Sequence, residues 1–404
     1  MAIWLLVLVV VAGAGCGHES SSTPQAPTPP PENYGDIVAN EGATDLDPAL
    51  QSATAWAQRF TYASRSGIDD SLAHVTGMLL VPKGDAPAGG WRLVAFGHPS
   101  TGMLSGCAPS LSPTLLSSAP VVQALLEAGY AVVTSDYQGL GPADKTQDHA
   151  RRPVHHPYLD STTVGYNLID AVRAARTLIA RAQQSASDRW LAFGIGQGGQ
   201  AAWAANELAA NQGKGMTLIG AVAISPVADI DGLADAADAG TLSIEQALEL
   251  QGFLAALKNE YGDFFNLEDY RGGVVKDKWD ALLACQGESL NERAAIAAEI
   301  TADDLRPRTP AAAATLRGYL KKTTLPLGPI QAPMLVIYGG QDPAVPAAWT
   351  ERALDRACKM GDIIQIVRLP DDAVDRLNLA AALDWMGQRV NSVPAPNDCV
   401  GRTP

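Results

Sequence analysis

Short apolar blocks alternate with stretches of helical periodicity along much of this chain. His74–Val81, closed by Pro82, reads as a strand, as do Arg92–Gly97 and Tyr130–Thr134. Residues 48 to 66 begin helix-like and lead into Thr61–Ser64, and Val121–Ala128 reads as a helix. From Thr163 to Gln183, apolar residues recur at helical spacing (Val164, Leu168, Ala171, Val172, Ala175, Leu178, Ile179). Trp190–Phe193 is apolar throughout. It runs directly into Gly194, Gly196, Gly198 and Gly199, and an Ala-rich segment follows to Leu208. That order predicts a buried strand, a sharp turn and a helix. Leu218–Ile224 is a further strand, ended by Ser225-Pro226. Strands alternating with helices predict a mostly parallel sheet with right-handed crossovers, flanked by helices.

The alternation stops over residues 232–322, which carry helical pattern and no strand. Ser243–Tyr261 has an N-cap serine and a long apolar face; Trp279–Ala284, Asn291–Ile300 and Ala311–Lys321 follow. Strand pattern resumes at Met334–Tyr338 and Ile363–Val367, and Leu377–Val390 closes as a helix. The expected layout is an α/β core in two parts, 48–231 and 323–404, interrupted by a helical cap over 232–322. No internal repeat appears.

The N-terminus adds an address. Ile3 to Val11 is apolar, and small residues precede Cys16. The run is too short to span a membrane and has the form of an export signal over residues 1–15. Cys16 after Gly13-Ala14-Gly15 is similar to a bacterial lipoprotein acylation site, although Gly13 stands where such signals usually carry leucine. The Pro/Ser/Thr-rich stretch behind it cannot form a core and reads as a tether over 16–47. The expectation is an exported protein, either a cell-envelope lipoprotein held by a lipid on Cys16 or a secreted one. The net charge of −14 with no Lys/Arg run argues against a nucleic-acid surface. Without Cys16, four cysteines remain, an even number that suits an oxidising compartment. Of the three pairings, Cys107–Cys285 with Cys358–Cys399 is the favoured one; four free buried cysteines are the alternative.

The chemistry turns on the glycine-rich bend. In Gly194-Ile195-Gly196-Gln197-Gly198 a strand feeds a helix through the G-x-S-x-G frame that holds the nucleophile of α/β-hydrolases, with glycine in place of serine. Separated motifs stand around it in order: His98-Pro99-Ser100-Thr101-Gly102 followed by Cys107-Ala108-Pro109-Ser110, Asp136-Tyr137-Gln138-Gly139-Leu140-Gly141, His156-Pro157-Tyr158-Leu159, Asp170–Arg176, Gln197–Ala202 and Gly340–Pro346. Together, over about residues 50 to 395, they resemble the secretory lipase family of α/β-hydrolases. The cap and both disulfide pairings suit that family. The resemblance implies an esterase or lipase with a Ser…Asp…His triad and backbone oxyanion donors.

Residue by residue, the triad is incomplete. Gly196 is the nucleophile position without a nucleophile, and Ser185, Ser187 and Ser225 lie outside the turn; Ser225 reads as a loop cap. Asp342 stands where the resemblance places the acid, with an ordinary turn residue as the bland reading. The histidine is expected in Asp371–Arg376, where Asp372, Val374 and Asp375 stand; none of the six histidines follows Asp342. Gln197, and a residue near Ser100 or Thr101, could keep the oxyanion N–H groups. His98 reads as structural, and His155 and His156 as loop residues. No metal or cofactor is implied: ligand spacing is absent, and Gly194-x-Gly196-x-x-Gly199 has no acidic partner on a following strand. The leading expectation is a non-catalytic lipase-fold protein binding an acyl or ester ligand or a protein partner. Two others stand beside it: a hydrolase in which Asp342 directs water attack, and a purely structural subunit. Oligomeric state is not readable from the sequence.

Overall fold

The computed structural model describes residues 33–142, 154–285, 290–369 and 379–402. Among these, nine strands form one sheet in the order β1-β2-β3-β5-β4-β6-β7-β8-β9. The strands are β1 (Ile37–Gly42), β2 (Thr54–Arg65), β3 (Leu72–Pro82), β4 (Trp91–Gly97), β5 (Ala131–Ser135), β6 (Ala186–Ile195), β7 (Thr217–Ile224), β8 (Met334–Gly339) and β9 (Ile364–Leu369). β1, β2 and β3 pair antiparallel, as do β3 and β5; from β5 through β4 to β9 every pairing is parallel. The architecture is the expected mostly parallel α/β sheet.

The helices are α1 (Pro48–Ala53), α2 (Ala119–Glu127), α3 (Ser161–Arg181), α4 (Gln197–Gln212), α5 (Gly232–Ala239), α6 (Ile244–Tyr261), α7 (Gly273–Asp277), α8 (Trp279–Leu283), α9 (Leu290–Ala297), α10 (Pro310–Thr323), α11 (Ala347–Lys359) and α12 (Leu379–Val390). Alternation along β6 shows how the sheet is covered. Trp190 and Ala192 face a cluster with Leu168, Val172 and Trp203 of α3 and α4. Leu191 and Phe193 face another cluster with Val122 and Leu125 of α2 and Trp385 of α12. Burying both faces removes a large apolar area from water at roughly 25 cal/mol per Å².

The front of the chain departs from the sequence reading. β1 occupies Ile37–Gly42, inside the stretch assigned to the tether, and α1 ends at Ala53, so residues 54–65 belong to a twelve-residue strand. Pro48 at the first helical position and the Asp47 side chain, which accepts from Ala49 N–H, start the helix. Pairing with β3 along its length then claims the residues that follow.

Helices α5–α10 form the helical insertion, with its own apolar core of Leu233, Leu250, Phe253, Leu254, Leu282 and Leu316 among others. α6 opens with a full capping box: Ser243 Oγ accepts from Gln246 N–H while the Gln246 side chain accepts from Ser243 N–H. The insertion is tied to the core at the loop after β4. Cys107 bonds Cys285 just beyond α8, and Met103 N–H donates to Leu283 C=O at 3.1 Å. The second disulfide joins Cys358 of α11 to Cys399. Sequence separations of 178 and 41 residues correspond, by loop-closure entropy, to about 5 and about 4 kcal/mol at most. Replacing Cys107 and Cys285 together by serine is expected to lower the urea midpoint more than replacing Cys358 and Cys399, with transitions followed under non-reducing conditions.

Candidate active site

Gly196 lies between β6 and α4 with φ +59° and ψ −118°, a backbone state that side chains adopt only under strain. Its N–H donates to Ile224 C=O at 2.9 Å, and its C=O accepts from Gln200 N–H at 3.0 Å and Val227 N–H at 3.2 Å. The bend is thus bound to the end of β7 and to its own helix. The flanking glycines are steric requirements: a Cβ on Gly194 would lie 1.8 Å from Gly198 O, and one on Gly198 would lie 1.9 Å from Gly97 O. A Cβ on Gly196 would find nothing closer than Pro99 Cβ at 3.9 Å. The turn therefore leaves room for a side chain at the one position where the family motif has serine.

β6, β7 and β8 are parallel neighbours, with Ile195 paired to Ile224 and Ile224 to Ile337. Gly196, Ser225 and the Asp342 loop consequently leave the sheet at one edge, the Asp342 loop two strands or about 10 Å across from the elbow. Asp342 is partly buried, and its Oδ1 accepts from Ala344 N–H at 2.9 Å and Val345 N–H at 3.0 Å, an Asx-type turn. Asp372, Val374 and Asp375 lie outside the described residues, as do Cys16, the signal segment and the residues before Asn33.

Two histidines, His98 and His156, pack with Tyr137 in a buried stack. His156 is a loop residue, as expected, and its side chain is buried. Its Nδ1–H donates to Gln138 C=O at 2.9 Å, which leaves Nε2 to accept from the Gln197 amide at 2.9 Å. Burial pushes its pKa down to about 3, so the ring is neutral and weakly basic. His98 is also buried. It donates Nδ1–H to Pro99 C=O at 2.7 Å and stacks on Tyr137 with ring centroids 4.2 Å apart; desolvation lowers its pKa. Tyr137 donates to His98 C=O at 3.1 Å. The two histidines and the tyrosine form a packed stack beneath the bend. No group of three or more His, Cys, Asp or Glu side chains among the described residues is arranged to hold a metal ion.

Of the expected oxyanion residues, Thr101 turns its hydroxyl to Cys107 C=O at 2.8 Å. Gln197 begins α4, a sixteen-residue helix whose N-cap is Gly196 and has no side-chain cap. Its backbone N–H therefore has no intrahelical acceptor and sits at the positive end of the helix dipole. Gln197 is 1% exposed, and its Oε1 has no hydrogen-bond partner. Ser225 does not cap its loop. It holds φ +40°, donates its N–H to Ile337 C=O at 2.7 Å, and buries a hydroxyl without a partner.

Two further residues, Glu249 and Arg293, enter the site that sequence reasoning did not single out. Ser100 Oγ lies 2.5 Å from Tyr158 Oη, and Tyr158 donates to Glu249 of α6. Ser100, Tyr158 and Glu249 thus share one short hydrogen-bonded cluster, in which the Glu249 carboxyl also takes a hydrogen bond from Ser100. Burial raises the Glu249 pKa; Tyr158 and Arg293 oppose that, and the Asp342 charge adds to it. Arg293 donates Nε–H to Leu282 C=O at 2.7 Å. Ser100, Tyr158 and Arg293, with Met103, Leu248 and Leu283, close around a cavity of about 20 Å³. On the other side of Tyr158, a groove of about 300 Å³ runs along Phe253, Leu257 and Tyr261 of α6. Glu249 gave no local signal because its partner is 91 residues away in the chain.

The bend leaves the Gln197 N–H without an intrahelical acceptor, offers no attacking group at Gly196, and keeps His98 and His156 buried with lowered pKa. A family model described as secretory lipase matches residues 114–398. Among solved structures, the chain is similar to the ligand-bound form of the rice cell wall degrading esterase LipA from Xanthomonas oryzae: 22% identity, TM-score 0.68, covering 89% of this chain and 97% of that one. It is also similar to lipase A of Candida antarctica in its closed state: 15% identity, TM-score 0.67, covering 92% and 88%. No curated protein matches the sequence.

Proposed function

The chain belongs to the secretory lipase family, and from that premise we propose that it is a member without triad catalysis, binding an acyl or ester ligand at the elbow. The observation that carries this reading is the intact elbow geometry built around Gly196. The strained turn, the steric glycines on either side and the uncapped helix are all present, and the attacking oxygen is not. The histidines support it. The sequence has none after Asp342, and the buried His156, at about 3, is too weak a base to take a serine proton near neutral pH. Asp342 has one carboxylate oxygen, Oδ1, engaged by two backbone N–H groups of its own turn, as a structural turn residue would.

Placed under the cap, the ligand's oxygen would meet the Gln197 N–H, and its chain would extend toward the groove along α6 that Phe253 and Leu257 line. The two disulfides and the family suit an exported protein. Acylation of Cys16 would hold it at a membrane surface through residues 17–36. Purified protein is expected to hydrolyse short- and medium-chain nitrophenyl esters no faster than an unrelated protein control. Turnover well above that control, lost when the pocket is blocked, would reject the reading.

A further inference from the structure

We propose that the glycine at position 196 makes this elbow a receptor for free carboxylic acids in preference to the corresponding esters. The proposal rests on the acyl-ligand reading above and specifies its head group. In an acyl-serine the carbonyl oxygen sits on the oxyanion donors and the ester oxygen on the serine side chain. Here the space of that side chain is open: a Cβ on Gly196 would have no neighbour nearer than 3.9 Å. A carboxyl group places one oxygen on the Gln197 N–H and the other in that space. An ester cannot do the same, because its alkoxy carbon would run into the Gly196 backbone. It keeps the carbonyl contact only by turning the alkoxy oxygen away.

The surrounding groups match a carboxyl rather than an ester. The N–H of Gln197 opens a sixteen-residue helix with no side-chain cap, an arrangement that favours negative charge. Gln197 Oε1 is fully buried with no donor, and Ser225, one residue beyond the Ile224 carbonyl that holds Gly196, buries a hydroxyl with no partner. Beside a bound carboxylate, a bridging water can donate to the first, and a carboxylate oxygen can accept from the second.

The test compares decanoic acid with methyl decanoate by titration calorimetry on the purified wild-type protein. The acid is expected to bind about tenfold more tightly, the equivalent of one hydrogen bond. Equal affinity, or tighter binding of the ester, overturns the carboxyl preference and leaves the acyl-ligand reading standing. Binding of neither compound overturns both. In a second arm, Gly196→Ala fills the space with a methyl group. Acid affinity is expected to fall to that of the ester while ester affinity holds. A folded Gly196→Ala protein that keeps its preference also overturns the proposal, and if that variant does not fold the wild-type comparison still decides.

Discussion

Gly194→Ala is expected to cost the fold about 4 kcal/mol or more, at the upper end for single substitutions, while Gly196→Ala should cost only about 1–2 kcal/mol. The difference comes from what each added carbon would meet. At Gly194 it would lie 1.8 Å from a backbone oxygen of α4. That contact cannot be relieved by turning a side chain, so β6 and α4 must separate, breaking the packing of Trp203 and its neighbours on the sheet. At Gly196 the space is free, and the penalty is that of a left-handed φ alone. Urea denaturation of the two variants against the parent measures both. Equal losses would mean that the bend is not packed as tightly as described.

Gly196→Ser is expected to fold and to remain inactive. Its turnover on nitrophenyl butyrate should stay about 10⁶-fold below that of a complete triad, because a serine without its base does little better than no serine. The hydroxyl would have room, and the Gln197 N–H would be available. The two imidazoles of the buried stack, however, are poor bases for its proton, because desolvation lowers the pKa of both. His156 has its nitrogens committed to Gln138 and Gln197, and His98 is buried against Tyr137. Ester hydrolysis and labelling by a fluorophosphonate probe measure the outcome. Rapid turnover by this variant would show that a base reaches the elbow, and would make the natural glycine the sole lesion.

The elbow and the parallel strands were legible because each is written locally, as an apolar block beside glycines or a helical repeat. The strand that carries the Asp342 loop, β8, was legible for the same reason. β1 was not: its six residues, Ile37–Gly42, are mostly exposed, so no apolar pattern marks an edge strand that is held by backbone pairing to β2. The place of β5 between β3 and β4 is a matter of topology that no window of sequence encodes. His156 was legible as a loop residue but its burial was not, because that comes from the stack with Tyr137 and from Gln197, and neither neighbour is adjacent in the chain. The Ser100–Tyr158–Glu249 chain joins a core loop to the cap, and Glu249 in isolation looks like one more solvated helix residue.

Both disulfides link cysteines that are consecutive once Cys16 is set aside: 107 with 285, then 358 with 399. A chain threaded out of the cell N-terminus first would therefore present its thiols in an order in which each newcomer meets its rightful mate, and oxidation in sequence yields the native pattern without reshuffling. Cys16 is the one thiol able to spoil that sequence, since it would emerge ahead of Cys107 and capture it. A lipid on Cys16 would serve as a protecting group for the rest of the molecule as well as a tether.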